Sequence, residues 1–211
     1  MRKVMNVGIG IVPQKLITPQ PDAGDYFPFC MEGDAPYVLD ISYNEEESEE
    51  SDAFMSNWMD ILDQYPIYVF FEAFDFHLED FEHDCAKHKI EFEVLPRKKH
   101  DFYGKARITN KEQFEVVSHH LYSNGNMNNF AAWSLEKDVF RVGKREIKTL
   151  FRKKKLETPI VSITEKTTVF WIGHDGDYII VISNDEKFSN LSSVTSTFPK
   201  GVDFSIIDFS E

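Results

Sequence analysis

Three polar side chains, Glu72, Asp75 and His77, stand at the end of an otherwise apolar stretch, and Asp75 and His77 are spaced to share a face. Glu72 interrupts the run IYVFFEAFDF at positions 67–76, and Asp75 and His77 follow it two residues apart. We expect this run to be a central strand, and polar groups at the carboxyl end of such strands often form sites. In a catalytic protein, a buried Glu72 with a raised pKa would serve as general base, while Asp75 and His77 would orient water or hold a metal.

A structural explanation exists for each of these residues. Glu72 would be stable at a sheet edge or in a pair with an arginine, and Asp75 would cap a helix that begins near His77, since Asp is a favoured cap. His174 is a fourth candidate, as a neighbour of this group across the sheet, although the adjacent Asp175 is explained by turn chemistry. No motif in the chain specifies a reaction.

The remaining histidines give weaker signals. Asp80, Asp84 and His88 stand at i, i+4 and i+8 of an expected helix, where carboxylate and imidazole side chains could hold a metal. There is no HExxH motif, however, and acidic residues on the polar face of a helix need no special explanation. His119 and His120 are adjacent, so they point roughly 100° apart on a helix and do not chelate one ion. We therefore predict no metal and no cofactor.

Charge is distributed very unevenly along the chain. The formal net charge is −13, and such a field disfavours binding to phosphate backbones and favours a basic protein partner. Residues 44–52, NEEESEESD, contain no apolar side chain, and we expect them to form a solvated loop. This acidic tract is the predicted partner-binding element, and its acidic residues are Glu45, Glu46, Glu47, Glu49, Glu50 and Asp52.

The basic residues are concentrated in a second segment. Eight Lys and Arg residues fall within residues 141–155, and we predict a helix over 143–155 with Arg145, Lys148 and Arg152 on one face. This face is either a solvated surface, partly neutralised by the acidic tract, or a patch for an anionic partner or a phosphate-bearing ligand. Aromatic residues are scarce among these bases, so stacking on single-stranded nucleic acid is not indicated.

The clearest structural signal is a hairpin within residues 167–184. The apolar runs 169–172 and 178–182 flank Asp175-Gly176, a pair that favours a type I′ turn because both central residues need positive φ. Both runs are apolar on both faces, so we expect the hairpin to lie in the interior of a sheet. Helices are expected to follow a cap at Ser51, to open at Asn110 and to cover residues 188–198. Strands and helices are interspersed along the chain, and the sequence predicts an α+β (mixed α/β) fold: a mainly antiparallel or mixed central sheet with helices packed on its faces.

Length and cysteine content indicate the general class of protein. A chain of 211 residues is expected to form a single domain. Two small α+β lobes with a boundary near residues 123–129 are the alternative. Cys30 and Cys85 are far apart in the sequence and are expected to be free thiols in a soluble, cytoplasmic protein. The apolar start of the chain is too short and too interrupted for a membrane span.

These features favour a binding function over a catalytic one. We expect a small, acidic, intracellular protein that acts by protein–protein interaction, with the physical profile of immunity or antitoxin proteins and other inhibitors of basic targets. The alternative is a hydrolase that uses carboxylate and histidine side chains, with or without a metal. The sequence does not indicate the oligomeric state of the protein.

Overall fold

A nine-stranded mixed sheet is the centre of the fold, which a computed structural model describes for residues 5–13, 29–43, 48–97, 101–148 and 153–209. The strands are β1 (Met5–Ile11), β2 (Cys30–Glu32), β3 (Tyr37–Tyr43), β4 (Ile67–Ala73), β5 (Glu91–Pro96), β6 (Phe102–Ile108), β7 (Ala131–Ser134), β8 (Phe140–Lys148), β9 (Lys153–Ser162), β10 (Thr168–Ile172), β11 (Tyr178–Ser183) and β12 (Val202–Ile206). The helices are α1 (Ser48–Leu62), α2 (Leu78–Lys87), α3 (Lys111–Asn126) and α4 (Leu191–Thr195). The predicted α+β class is confirmed.

The strand order shows how distant parts of the chain are brought together. The large sheet runs β12-β1-β3-β11-β10-β7-β4-β6-β5, and a small sheet runs β2-β9-β8. Only the β1–β12 pair is parallel within the large sheet; its other described pairs are antiparallel. Strands from before and after residues 123–129 are interleaved in the large sheet, and α3 extends into this stretch as far as Asn126.

The predicted hairpin is confirmed as the pair β10–β11. Its ladder runs from Thr168 opposite Ser183 to Ile172 opposite Ile179, and β7 and β3 flank it, so it lies in the sheet interior. The Gly173 amide donates to the Tyr178 carbonyl, which closes a loop of residues 174–177 in place of the expected two-residue turn. The loop still has positive φ at the two central positions of the predicted turn, 58° at residue 175 and 77° at residue 176.

Both faces of the hairpin strands β10 and β11 are covered, as their apolar pattern predicts. Phe170 and Ile172 pack in one cluster with Trp58 of α1 and Phe114 of α3. The neighbouring positions Val169 and Trp171 pack in a second cluster, with Met31 of β2 and Val161 of β9, on the opposite face. Because side chains alternate along a strand, the protein has three layers: helices, large sheet and small sheet. We call the layer formed by α1, α2 and α3 the helical layer.

The predicted basic helix is wrong. Residues 140–148 and 153–162 form the antiparallel strands β8 and β9 of the small sheet. Phe140 and Val142 of β8 pack on the buried cluster at alternate positions, which is the strand period. Arg145 lies within β8, and Lys148 is the last residue of that strand. Arg152 lies outside the described residues. The charge spacing fits a helix, but the apolar residues of the segment decide its structure.

The acidic tract is also corrected in part. Helix α1 begins at Ser48, so the second half of the expected loop forms the first helical turn, and Ser51 lies inside the helix and does not cap it. Residues 44–47, with Glu45, Glu46 and Glu47, lie outside the described residues. Glu49, Glu50 and Asp52 belong to α1.

Other predicted elements differ mainly at their ends. The Asn110 side chain accepts a hydrogen bond from the Gln113 amide and caps α3, as expected from a favoured cap residue. The last expected helix, over residues 188–198, is reduced to α4. Strand β2 was not predicted, since three residues are too few to show the alternation of a strand. Cys30 and Cys85 are both free.

Candidate functional site

Glu72, the first candidate base, forms an ion pair at the end of β4. Its Oε1 lies 3.3 Å from a guanidinium nitrogen of Arg97, and its Oε2 accepts a hydrogen bond of 3.3 Å from the Phe130 amide. The side chain is only 13% exposed. Burial raises the pKa of Glu72, while Arg97 and the Phe130 amide oppose that rise. This is the pairing with an arginine that we gave as a structural explanation.

The arginine of this pair is itself held by an aromatic ring. The Arg97 guanidinium carbon lies 5.3 Å from the centre of the Tyr103 ring, a cation–π contact. Burial, followed by the nearby carboxylate of Glu72, raises the pKa of Tyr103, so this phenol stays protonated at neutral pH. These contacts connect three parts of the chain: Glu72 lies on β4, Tyr103 lies on β6, and Arg97 directly follows β5. The sequence allowed for an arginine beside Glu72 but did not identify Arg97 or Tyr103, because strand pairing between distant segments places them there.

Asp75 and His77 lie in a single 3₁₀ turn between β4 and α2. Asp75 is exposed, and neither this turn nor α2 has a side-chain cap, so the expected capping role is not found. The His77 ring lies 4.2 Å from the ring of Phe76, and its buried Nε2 has no hydrogen-bond partner among the described residues. Within the described contacts, neither residue is joined to Glu72.

His174 belongs to a different region, the loop between β10 and β11. Its Nδ1 lies 3.1 Å from Oδ1 of Asn128, and the Asn128 side-chain amide donates to Asp175 at 3.0 Å. The Asp175 backbone amide donates to the same Asn128 oxygen. These bonds attach the hairpin loop to the segment just after α3. The Asn-rich sequence there, with Asn128 at a φ of 60°, was the available signal for this contact.

The carboxylates and histidines of α2 and α3 form pairs between the two helices. Asp84 Oδ2 lies 2.9 Å from Nε2 of His120, and the His120 ring contacts Phe81 edge-on. His88 lies 3.5 Å from Glu112. In the part of the chain that the structure describes, no three His, Cys, Asp or Glu side chains come together as a potential metal site.

A groove of about 490 Å³ lies on the small-sheet side of β4, β6 and β5, beside the turn that precedes β8. Its floor is aromatic: the rings of Phe70 and Phe140 stack 5.7 Å apart, and the Lys105 ammonium lies 5.9 Å from the Phe70 ring centre. The residues around it are Tyr68, Val69, Phe70, Glu91, Phe92, Glu93, Lys105, Ala106, Arg107, Lys137, Asp138, Val139 and Phe140.

The charges in this groove are arranged as neutralising pairs. Lys105 lies 3.5 Å from Glu93, and Arg107 lies 3.6 Å from Glu91, at alternate positions of the β5–β6 ladder. Exposed pairs of this kind contribute at most about 1 kcal/mol each, but they leave the groove with little net charge. The groove therefore provides apolar surface and no clear preference for an anion or a cation.

Net charge differs strongly between the layers of the protein. The helical layer contains ten Asp and Glu residues and two basic residues, Lys87 and Lys111. The strands of the small sheet contain seven Lys and Arg residues and three Glu residues. The excess charge is therefore −8 in the helical layer and +4 in the small sheet. The acidic residues of the helical layer are Glu49, Glu50, Asp52, Asp60, Glu79, Asp80, Glu82, Asp84, Glu112 and Glu115.

Comparison with known proteins adds no functional assignment. No protein-family model, curated protein or solved structure matches the chain. Among the helices that the structure describes, none is long and apolar enough to cross a membrane. Functional inference therefore rests on the geometry and the charges of this protein itself.

Proposed function

We propose that this protein is an acidic binding protein whose helical layer associates with a basic protein partner. The observation that carries the proposal is the separation of charge between layers, with an excess of −8 on α1, α2 and α3 and +4 on the small sheet. Opposite charges on opposite sides of a sheet create a directional field. Such a field turns the acidic face towards a basic target during encounter and raises the association rate.

The acidic tract at residues 44–52 is the proposed leading edge of this surface. Glu49, Glu50 and Asp52 lie in the first turns of α1, where the helix dipole stabilises carboxylates by roughly 0.3–1 kcal/mol each. That local effect accounts for acidic residues at a helix start. It does not account for three further glutamates at positions 45–47, whose mutual repulsion is unfavourable without a basic partner.

The physical profile is that of inhibitory partners of basic proteins, including immunity and antitoxin proteins. These act by covering a target surface, which requires complementary charge and a stable scaffold. The described geometry favours this function over the alternative hydrolase, because no described contact connects Glu72 or His77 with His174, and Glu72 is engaged by Arg97.

The proposal is tested with two variants of equal charge. The tract variant replaces the glutamates at positions 45, 46, 47, 49 and 50 by Gln. The control variant neutralises five exposed acidic residues outside the helices, and these are Glu136, Asp138, Glu165, Asp177 and Glu186. Wild type and both variants are immobilised and exposed to lysate of the source cell, and captured proteins are identified by mass spectrometry. Stopped-flow kinetics with the purified partner then give the association rates.

We expect a partner with a basic surface that associates at least tenfold more slowly with the tract variant than with the control variant. The effect should lie mainly in the association rate, since peripheral charges steer encounter. Equal rates for the two variants would show that only total charge matters and would refute the proposed surface. Loss of stability in the tract variant, with unchanged binding kinetics, would show that the tract is structural.

A further inference from the structure

The two edges of the large sheet differ in chemical character. One edge is β5, where Glu91 and Glu93 are exposed and Pro96 ends the strand. Charged residues and proline at an edge prevent another strand from pairing there. The other edge is β12, VDFSI, which has a single charged residue, Asp203. The β5 edge is thus protected against strand addition in a way that β12 is not.

Apolar side chains are exposed along the unprotected edge. Phe204 is 48% exposed and Ile206 is 68% exposed, and they alternate with Asp203 and Ser205 on β12. Ile11, at the end of the neighbouring β1, is 48% exposed. Of the seven large apolar residues that are exposed in the described chain, three therefore lie at this one edge. Grouped apolar residues at a sheet edge are typical of a surface that pairs.

Backbone hydrogen-bonding groups are also available along β12. The Ile207 amide donates to the Ile9 carbonyl at 2.8 Å, which continues the parallel ladder between β12 and β1. The backbone amide and carbonyl groups of successive residues point to opposite sides of a strand. Those of Asp203 and Ser205 therefore point towards β1, as those of Ile207 do. The amide and carbonyl groups of Phe204 and Ile206 then point away from β1, towards the side on which no strand of the described residues pairs with β12.

We propose that β12 pairs antiparallel with β12 of a second copy, about a two-fold axis at Phe204. This inference is independent of the proposed function. In this register Val202 faces the partner's Ile206, Phe204 faces its own counterpart, and Asp203 faces the partner's Ser205. Each of the five positions of the strand has a partner in this register, and the apolar residues of the two copies meet on one face. The Val202 amide already donates to the Pro199 carbonyl, so at that end of the strand only the Val202 carbonyl takes part in the pairing. A register centred on Asp203 would instead place two carboxylates opposite each other, which is unfavourable.

The residue pattern of β12 favours a second copy as the occupant, because antiparallel self-pairing places apolar residues opposite apolar residues and Asp203 opposite Ser205. A two-fold axis perpendicular to the sheet places the helices of both copies on the same side of the joined sheet. Acidic helices next to this edge would therefore repel each other and weaken the dimer. Among the described helices, α4, LSSVT, has the most extensive contact with β1, and it has no charged residue. This helix therefore adds no charge to the contact between two copies that each have a net charge of −13.

The register makes a specific prediction for charge substitutions. Ser205→Asp places a carboxylate against the partner's Asp203 and should weaken the dimer at least tenfold. Adding Asp203→Ser to that variant removes the opposing charge and should restore the dissociation constant to within about threefold of wild type, an effect below about 0.7 kcal/mol. Phe204→Lys should weaken the dimer at least tenfold as well. Ala53→Asp, an equal change of charge at an exposed position of α1, is the control and should leave the dimer unchanged.

Sedimentation equilibrium gives the mass of the full chain at each concentration. A range of roughly 1–200 μM covers micromolar dissociation constants. Circular dichroism confirms that each variant is folded. We expect wild type, the Ala53→Asp control and the variant with both Ser205→Asp and Asp203→Ser to reach twice the monomer mass. The single variants Ser205→Asp and Phe204→Lys should need at least tenfold higher concentrations to do so. A wild-type monomer at all concentrations would overturn the proposal, as would a dimer that Phe204→Lys does not weaken. A dimer for which Asp203→Ser fails to restore the Ser205→Asp variant would overturn the register and with it the proposed pairing.

Discussion

Trp171→Ala is the substitution that tests the central hairpin most severely. Trp171 is 1% exposed, and its ring makes edge contacts with Phe29 at 5.4 Å and Tyr178 at 6.4 Å. A buried tryptophan removes about 150–250 Å² from water, which at roughly 25 cal/mol per Å² corresponds to about 4–6 kcal/mol. The methyl group of alanine retains part of this, and the unfolded chain already buries some surface. We therefore expect the free energy of unfolding to fall by about 3–5 kcal/mol.

Urea denaturation followed by circular dichroism measures this loss. The midpoint should fall while the m-value stays constant, because the surface exposed on unfolding is nearly unchanged. Phe76→Ala is the matched control: this ring is 66% exposed, and its truncation should cost less than about 1 kcal/mol. A loss below about 1 kcal/mol for Trp171→Ala would contradict the burial of β10 on both faces.

Three further predictions concern single groups. Burial raises the pKa of Asp40, and the hydrogen bond from Ser42 only partly opposes this. The stability that protonated Asp40 contributes is therefore complete below its ordinary pKa and is lost as pH rises through the raised value. Asp40→Asn should gain stability relative to wild type over that window in urea denaturation, and a pH-independent difference would refute this. Alkylation in denaturant without reductant should add two labels, at Cys30 and Cys85, in mass spectrometry, and no label would indicate a disulfide. Asn110→Ala should lower the free energy of unfolding by about 1 kcal/mol through loss of the α3 cap, whereas an unchanged denaturation midpoint would show that the cap is dispensable.

Local signals predicted the elements whose structure is decided by nearby residues. Asp175-Gly176 identified the β10–β11 turn, because positive φ at consecutive positions is rare outside such residue pairs. Asn110 identified the start of α3 through a bond to an amide three residues away. The runs that form β10 and β11 are apolar on both faces, which correctly predicted that these strands lie in the interior of the sheet, since both faces of such a strand must be covered.

Contacts between distant segments could not be predicted in the same way. The ion pair of Glu72 with Arg97 forms because β6 pairs with β4 and β5 pairs with β6. The same strand pairing places the charged pairs of the groove beside each other. The basic segment was misassigned because charges three and four residues apart fit a helical face, while Phe140 and Val142 follow the period of a strand. The separation of charge between layers becomes visible only when helices and strands have been placed on opposite sides of the sheet.

The most direct test of the proposed binding surface is zero-length carbodiimide cross-linking of this protein to its captured basic partner. The reagent joins carboxylates to lysines that are in contact, and mass spectrometry identifies both residues. The proposed surface predicts that the joined carboxylates belong to residues 45–52 and to the acidic residues of α1, α2 and α3. Cross-links that instead join lysines of β8 and β9 to carboxylates of the partner would contradict it.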